Sequence, residues 1–432
     1  MAVLYANSAR TKILLHLRNY GASKRAGMIS VFPEYNRLTV ENAIRKLLQD
    51  QLVEEFRRSP RAKTTPVRYL QISEKGRRAL ADYEEEKGLS QKADRTVSTI
   101  KETSRKELVL PVYAICKSMG VLTDQAEKPP LAKLFFSDML PEDKANAACK
   151  LDENGAFYSM NEIRTEFRIH IGDGPLNQVR CVGVIIKEKR AYFVYNMGNK
   201  LIYFNRTLET RTRDMILSVM EKSLFQKFYP IETQKTAASC LLFADSYKCI
   251  PKVIFGRKAG ELEPESENGK KDKKVQMREV LTEHNIALVN IRKVYGCIYF
   301  VPIRNAANVF ESAIRMTPAF RDIITQKWIN LQDSLRLEKC AFGYKGIVKA
   351  TGRSVYMWPD YDLCFLAKIR QTREPAYVVI PVAGAEDAIA KVLGPQLIDV
   401  QLITGGILET KRYDIYGRDT GSQSQPVDSE AT

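Results

Sequence analysis

Leu38-Thr-Val-Glu-Asn-Ala-Ile-Arg-Lys-Leu-Leu-Gln-Asp-Gln-Leu-Val-Glu-Glu-Phe56 is the stretch whose reading decides the fold of the first fifth of this chain. Val40, Ile44, Leu47 and Leu48 recur at the spacing that lines one face of an α-helix. Thr39 is placed to cap a helix over residues 39–50. The face opposite the apolar stripe carries Asn42, Arg45, Lys46 and Gln49, with Arg37 and Thr39 at its leading end. Residues 52–56 then read as a strand, rich in β-favouring side chains.

Working outward, residues 8–20 form an amphipathic helix on Ile13, Leu14 and Leu17, stopped by Gly21. The connector 22–35 holds one weak helical turn. On the other side, Val67-Arg-Tyr-Leu-Gln-Ile72 reads as a second strand, and Ser73 opens a further helix. Between the strands, residues 57–66 make a basic loop punctuated by Pro60 and Pro66. Arg57, Arg58, Arg61, Lys63 and Arg68 fall within twelve residues that hold no acid.

Charge singles out the same segment. The chain has 432 residues and a formal net charge of +16, and residues 1–80 hold 16 Lys or Arg against 6 Asp or Glu. A local excess of ten positive charges attracts phosphate. Three helices followed by a two-stranded, basic-tipped wing resemble the winged helix-turn-helix superfamily over about 75 residues. That resemblance implies binding to double-stranded DNA, with Asn42 and Arg45 as base readers. Arg37, Thr39, Lys46, Arg57, Arg58, Arg61, Lys63 and Arg68 would serve backbone or minor-groove contact.

The rest of the chain divides by composition. Residues 81–107 are polar and charged and suit a solvated helix or linker, 257–274 read as a disordered loop, and 418–432 as a disordered tail. Residues 108–256 alternate helix and strand: a helix at 159–167, strands at 179–186, 191–196 and 201–204, a helix at 207–227, and a strand at 252–255. That order fits a restriction-endonuclease-like α/β domain as well as a generic one. Residues 275–417 form a further α/β region with strands expected at 287–291, 297–303, 363–369, 377–382 and 398–403. No internal repeat is visible.

Chemistry is sparse. The eight cysteines include no C-x-x-C pair and only three histidines are present, so buried free thiols fit better than a zinc site. Walker, nucleophile-elbow and H-x-x-x-H motifs are missing. A restriction-like nuclease needs an acid near the start of its second strand and Glu-x-Lys on the third. Here Tyr195 and Asn196 stand where the acids belong, leaving Asp173, Glu188 and Lys189 as weak catalytic candidates. No cofactor is expected, and Mg²⁺ only if a nuclease reading holds. No apolar run approaches twenty residues, and the start of the chain lacks a leader-like apolar core, so a cytoplasmic protein without a membrane partner is expected.

The winged helix, the polar helix, and the segments FYSMNEIRTEF (157–167) and NQVRCVGVIIKEKRAYFVYNMGNKLIYFNRTLETRTRDMIL (177–217) together resemble replication-relaxation proteins of bacterial plasmids and integrative conjugative elements. The resemblance spans roughly residues 8–256. It implies a winged helix joined to a restriction-endonuclease-like domain, serving plasmid replication or DNA relaxation. Family members often carry acids in a Phe-x-Glu-x-Asp-like strand, whereas this chain has Phe193-Val-Tyr-Asn196. The expectation is a DNA-binding accessory protein of a mobile element that recognises a site without cutting. Other replication or transfer proteins and a second copy of the chain stand as candidate partners. A metal-dependent nuclease and a transcriptional regulator with a sensing C-terminal region are the alternatives.

Overall fold

A computed structural model describes residues 4–5, 8–32, 34–58, 67–86, 100–172, 176, 180–235, 238–256, 285–315 and 317–403. The described residues form a mixed α/β protein with three sheets. Among the described residues, no helix is long and apolar enough to cross a membrane.

The amino-terminal elements follow the sequence reading closely. Helix α1 (Ala9–Tyr20) is capped by Ser8, whose Oγ accepts from Thr11 N, and ends at Gly21 with φ of 74°. Strand β1 (Ser23–Lys24) and helix α2 (Met28–Val31) occupy the connector. Helix α3 (Arg37–Gln49) starts two residues earlier than expected. Its cap is Asn36, not Thr39: Asn36 Oδ1 accepts from Thr39 N at 2.8 Å and from Thr39 Oγ1 at 2.9 Å. Strands β2 (Val53–Arg58) and β3 (Val67–Ile72) pair antiparallel, and β1 adds to the other side of β3. Helix α4 (Glu74–Glu86) follows, with Ser73 Oγ accepting from Gly76 N.

Two features carry this unit past residue 80. Arg18 and Glu84 form an ion pair in which both side chains are almost fully buried. Helix α5 (Ile100–Ser118) runs through the expected linker boundary, and its Val112, Tyr113 and Cys116 join the core built on α1 and α3. A chain cut at 80 would leave the buried Arg18 guanidinium without its carboxylate.

His16 sits at that junction, packed edge-on against Tyr113 and Phe32, with Ser23 Oγ 3.3 Å from Nε2. Burial pushes its pKa down to about 3, against the pull of Asp124 and with a smaller push from Lys117 in the same direction. The unfolded imidazole takes up a proton near pH 6.5 and the folded one does not, so stability falls as pH drops below that value. The slope from this group is about 1.4 kcal/mol per pH unit. Urea unfolding at pH 7.5 and pH 5 should therefore show a smaller acid-induced loss in His16→Phe than in the wild type. Equal losses would remove His16 from the account.

The central sheet has the order β4-β5-β6-β7-β8: Ala156–Ser159, Gly183–Lys187, Arg190–Asn196, Ser239–Ala244 and Cys297–Pro302. β4, β5 and β6 pair antiparallel, and β6, β7 and β8 run parallel. Period-two alternation sends Phe157, Ile185, Val194 and Leu241 to the face covered by α5, and Tyr158, Val184, Phe193 and Leu242 to the other. Several expectations are corrected here. Residues 201–204 make only an isolated bridge at Tyr203, and 252–255 belong to the helix Ile250–Phe255. The fourth strand is instead Ser-Cys-Leu-Leu-Phe-Ala244, buried throughout. β8 pairs with β7 along six positions, so the sheet spans the division expected between 256 and 275.

The third sheet, β9 (Leu335–Cys340), β10 (Gly343–Val348), β11 (Ser354–Met357), β12 (Ala376–Ile380) and β13 (Leu397–Leu402), repeats the strand order and directions of the second. In both, only the second strand runs against the others. The topology thus repeats where the sequence shows no repeat. Strands expected at 297–303, 377–382 and 398–403 are present. Those at 287–291 and 363–369 are helices, Leu288–Ile291 and Leu363–Thr372, the latter capped by Asp362. Four cysteines are buried, Cys149 is exposed and all eight are free.

Candidate nucleic-acid interface

Helix α3 buries Val40, Ala43, Ile44 and Leu47 and leaves Arg37, Thr39, Asn42, Arg45, Lys46 and Gln49 exposed. The apolar spacing causes both outcomes, since residues at i, i+4 and i+7 share a face and those between them are turned away. Every candidate that the sequence placed on this helix lies on its solvent side. Thr39 is tied to the cap, and Arg37 Nε donates to Glu41 Oε1 at 2.9 Å.

The module's charges then sort by partner. Arg10 pairs with Asp50, Lys12 with Glu34 and Arg18 with Glu84, so these cations are engaged in holding α1 to its neighbours. Arg45, Lys46 and Arg57 have no acidic partner among the described residues. Arg68 reaches Glu55 at 3.5 Å, and the same carboxylate accepts from Arg25 at 2.6 Å.

On the hairpin, Arg57 stands directly opposite Arg68 in the β2–β3 register, and both are exposed. Like charges facing across a ladder destabilise it by a few tenths of a kcal/mol or more. One glutamate shared with Arg25 offsets only part of that repulsion. An anion bound over the pair would relieve it. Arg58 lies in β2 opposite Val67. Arg61 and Lys63 lie outside the described residues.

Asp173 lies outside the described residues. Glu188 and Lys189 form the two-residue turn between β5 and β6, both with positive φ, of 48° and 61°. Lys189 N donates to Tyr229 Oη at 2.9 Å, and Glu232 N donates to the Lys189 carbonyl at 2.7 Å. Both bonds are made by the Lys189 backbone, and Lys189 Nζ lies 5.9 Å from the Tyr229 ring centre. Tyr195 is fully buried, 2.8 Å from Glu209 Oε2 and 2.7 Å from Tyr295 Oη. Burial raises the Glu209 pKa, against the backbone N–H of Arg180 that its other oxygen accepts at 2.6 Å. Asn196 Nδ2 donates to the Leu108 carbonyl, joining β6 to α5. Among the described residues, no group of three His, Cys, Asp or Glu is placed to hold a metal ion.

Sequence reasoning missed Leu38, the second residue of α3, which is 65% exposed. Apolar residues are assigned to cores by default, and the signal was its i, i+4, i+7 relation to Asn42 and Arg45. No protein-family model, no curated protein and no solved structure matches the chain.

Proposed function

We propose that residues 1–86, with α5 behind them, form a winged-helix module that binds double-stranded DNA in a sequence-dependent way. The chain would thereby act as a non-cutting accessory protein in replication or transfer of a mobile element. The observation that carries this reading is the solvent face of α3, where Asn42, Arg45 and Lys46 project without acidic partners among the described residues. An α-helix of this kind fits the major groove, and amide and guanidinium groups match the edges of adenine and guanine. The opposed Arg57 and Arg68 support phosphate contact by the wing.

The strand order of the second sheet supports a restriction-endonuclease-like reading for the middle of the chain, and the third sheet shares it. Neither carries the acids of a nuclease: the second strands are Gly-Val-Ile-Ile-Lys187 and Gly-Tyr-Lys-Gly-Ile-Val348. The third strands lack Glu-x-Lys. A fold of this type then serves as a scaffold rather than a catalyst.

Fluorescence anisotropy of the full-length protein on matched duplex and single-stranded oligonucleotides tests the binding. Duplex should be preferred, with affinity falling steeply as salt rises because counterions are released. Preference for single strands would overturn the reading. Supercoiled plasmid incubated with stoichiometric protein and Mg²⁺ or Mn²⁺ should stay intact. Metal-dependent nicking that disappears in Glu188→Ala while DNA binding persists would replace the accessory role with a nuclease.

A further inference from the structure

We infer that Leu38 reads the 5-methyl group of a thymine in the major groove, which makes an A·T pair at that position part of the recognised site. This rests on the duplex-binding reading of α3. A single exposed leucine is ordinary on a protein surface and by itself needs no explanation. Leu38 differs by position. It lies four residues before Asn42, seven before Arg45 and eleven before Gln49, so all four share one stripe of α3. It is the second residue of a helix held at its start by Asn36, and recognition helices touch base edges with their N-terminal residues.

Core packing does not account for it. Leu38 is 65% exposed and belongs to none of the hydrophobic clusters of the described residues, although Tyr35 and Leu48 on either side pack against one of them. Within a stripe whose other members are two amides and a guanidinium, an isobutyl group offers no hydrogen bond. The only apolar feature on the floor of the major groove is the thymine methyl. Contact with that methyl removes apolar surface from water on both partners. Asn42 one turn further suits adenine, and Arg45 suits guanine. The stripe therefore specifies a short mixed sequence in which a thymine occupies the Leu38 end.

The test begins with full-length protein and a pool of randomised duplexes made with the four ordinary bases, from which the preferred duplex is selected. Each thymine of that duplex is then replaced in turn by uracil, which keeps the pairing and removes only the methyl. One replacement should weaken wild-type binding about 3- to 10-fold. Leu38→Ala should lose a similar factor on the thymine duplex and bind the uracil duplex with wild-type affinity. Its thermal unfolding midpoint should match the wild type, because the side chain is exposed. Leu38→Ala binding that equals wild type on thymine DNA, or that falls while keeping the thymine-over-uracil difference, overturns the assignment. Selection that yields no preferred duplex sinks the duplex-recognition reading itself, and shows this before any substitution is made.

Discussion

Replacing Arg321 by Met should destabilise the protein by roughly 3–5 kcal/mol at neutral pH, the cost of leaving buried carboxylates without their cation. Arg321 Nη1 lies 3.0 Å from Asp360 Oδ2 and 3.3 Å from Asp362 Oδ2, and all three side chains are buried. The guanidinium also stacks 4.1 Å from the Phe365 ring centre. Asp362 Oδ1 accepts from Ile298 N in β8 and Phe300 N donates to the Tyr361 carbonyl, so this cluster ties the second sheet to the loop leaving β11. Burial pushes the Asp360 carboxyl up to about 6, with Arg321 pulling the other way and Asp362 adding to the rise. The folded chain thus keeps a proton that the unfolded chain releases near pH 4. Stability from this group falls as pH climbs from about 4 to about 6 and is level above. Removing the guanidinium raises the Asp360 pKa further, so Arg321→Met should recover part of its loss at pH 5. Chemical denaturation at pH 7.5 and pH 5 checks this. A wild-type midpoint at pH 7.5 would show that the cluster contributes little.

Arg45→Ala should weaken binding to the preferred duplex by roughly 1–3 kcal/mol, about 5- to 150-fold, and flatten the preference at one position. Arg57→Ala should instead weaken all duplexes about equally and lower the salt slope by about one. The difference follows from placement. Arg45 projects from the middle of α3, the proposed reader of base edges, whereas Arg57 sits near the loop end of the hairpin, facing Arg68. Competition titrations with preferred and scrambled duplexes separate the two effects. Identical losses on both duplexes for both variants would remove α3 as the recognition helix.

What could be read from the sequence depended on how far apart the interacting residues lie. The α3 stripe was legible because Val40, Ile44 and Leu47 set their own periodicity within one element. The solvent face followed by subtraction, and so did Arg45 and Lys46. β7 was not legible, because Ser-Cys-Leu-Leu-Phe-Ala244 is buried on both faces and shows no alternation. The helix Leu363–Thr372 opens with a compact apolar run, Leu-Cys-Phe-Leu-Ala367, that also suits a strand, and the Asp362 cap and packing decide for helix. β1 has two residues, too few for any period. The Arg321 cluster joins groups 39 and 41 positions apart, a pairing that only the folded chain creates. At the candidate interface, Thr39 was placed correctly on the surface but given the cap that Asn36 supplies.

The most direct measurement is the affinity of the full-length protein for duplex DNA across a salt series, compared with Arg45→Glu/Lys46→Glu/Arg57→Glu. All three side chains are exposed and lack acidic partners among the described residues, so the variant should keep the wild-type unfolding midpoint. Wild-type affinity should fall linearly on a log–log plot against salt, and the variant should lose at least about 100-fold at moderate salt with a shallower slope. A folded variant that binds duplex as tightly as the wild type, with the same slope, would contradict the assignment of DNA binding to this module.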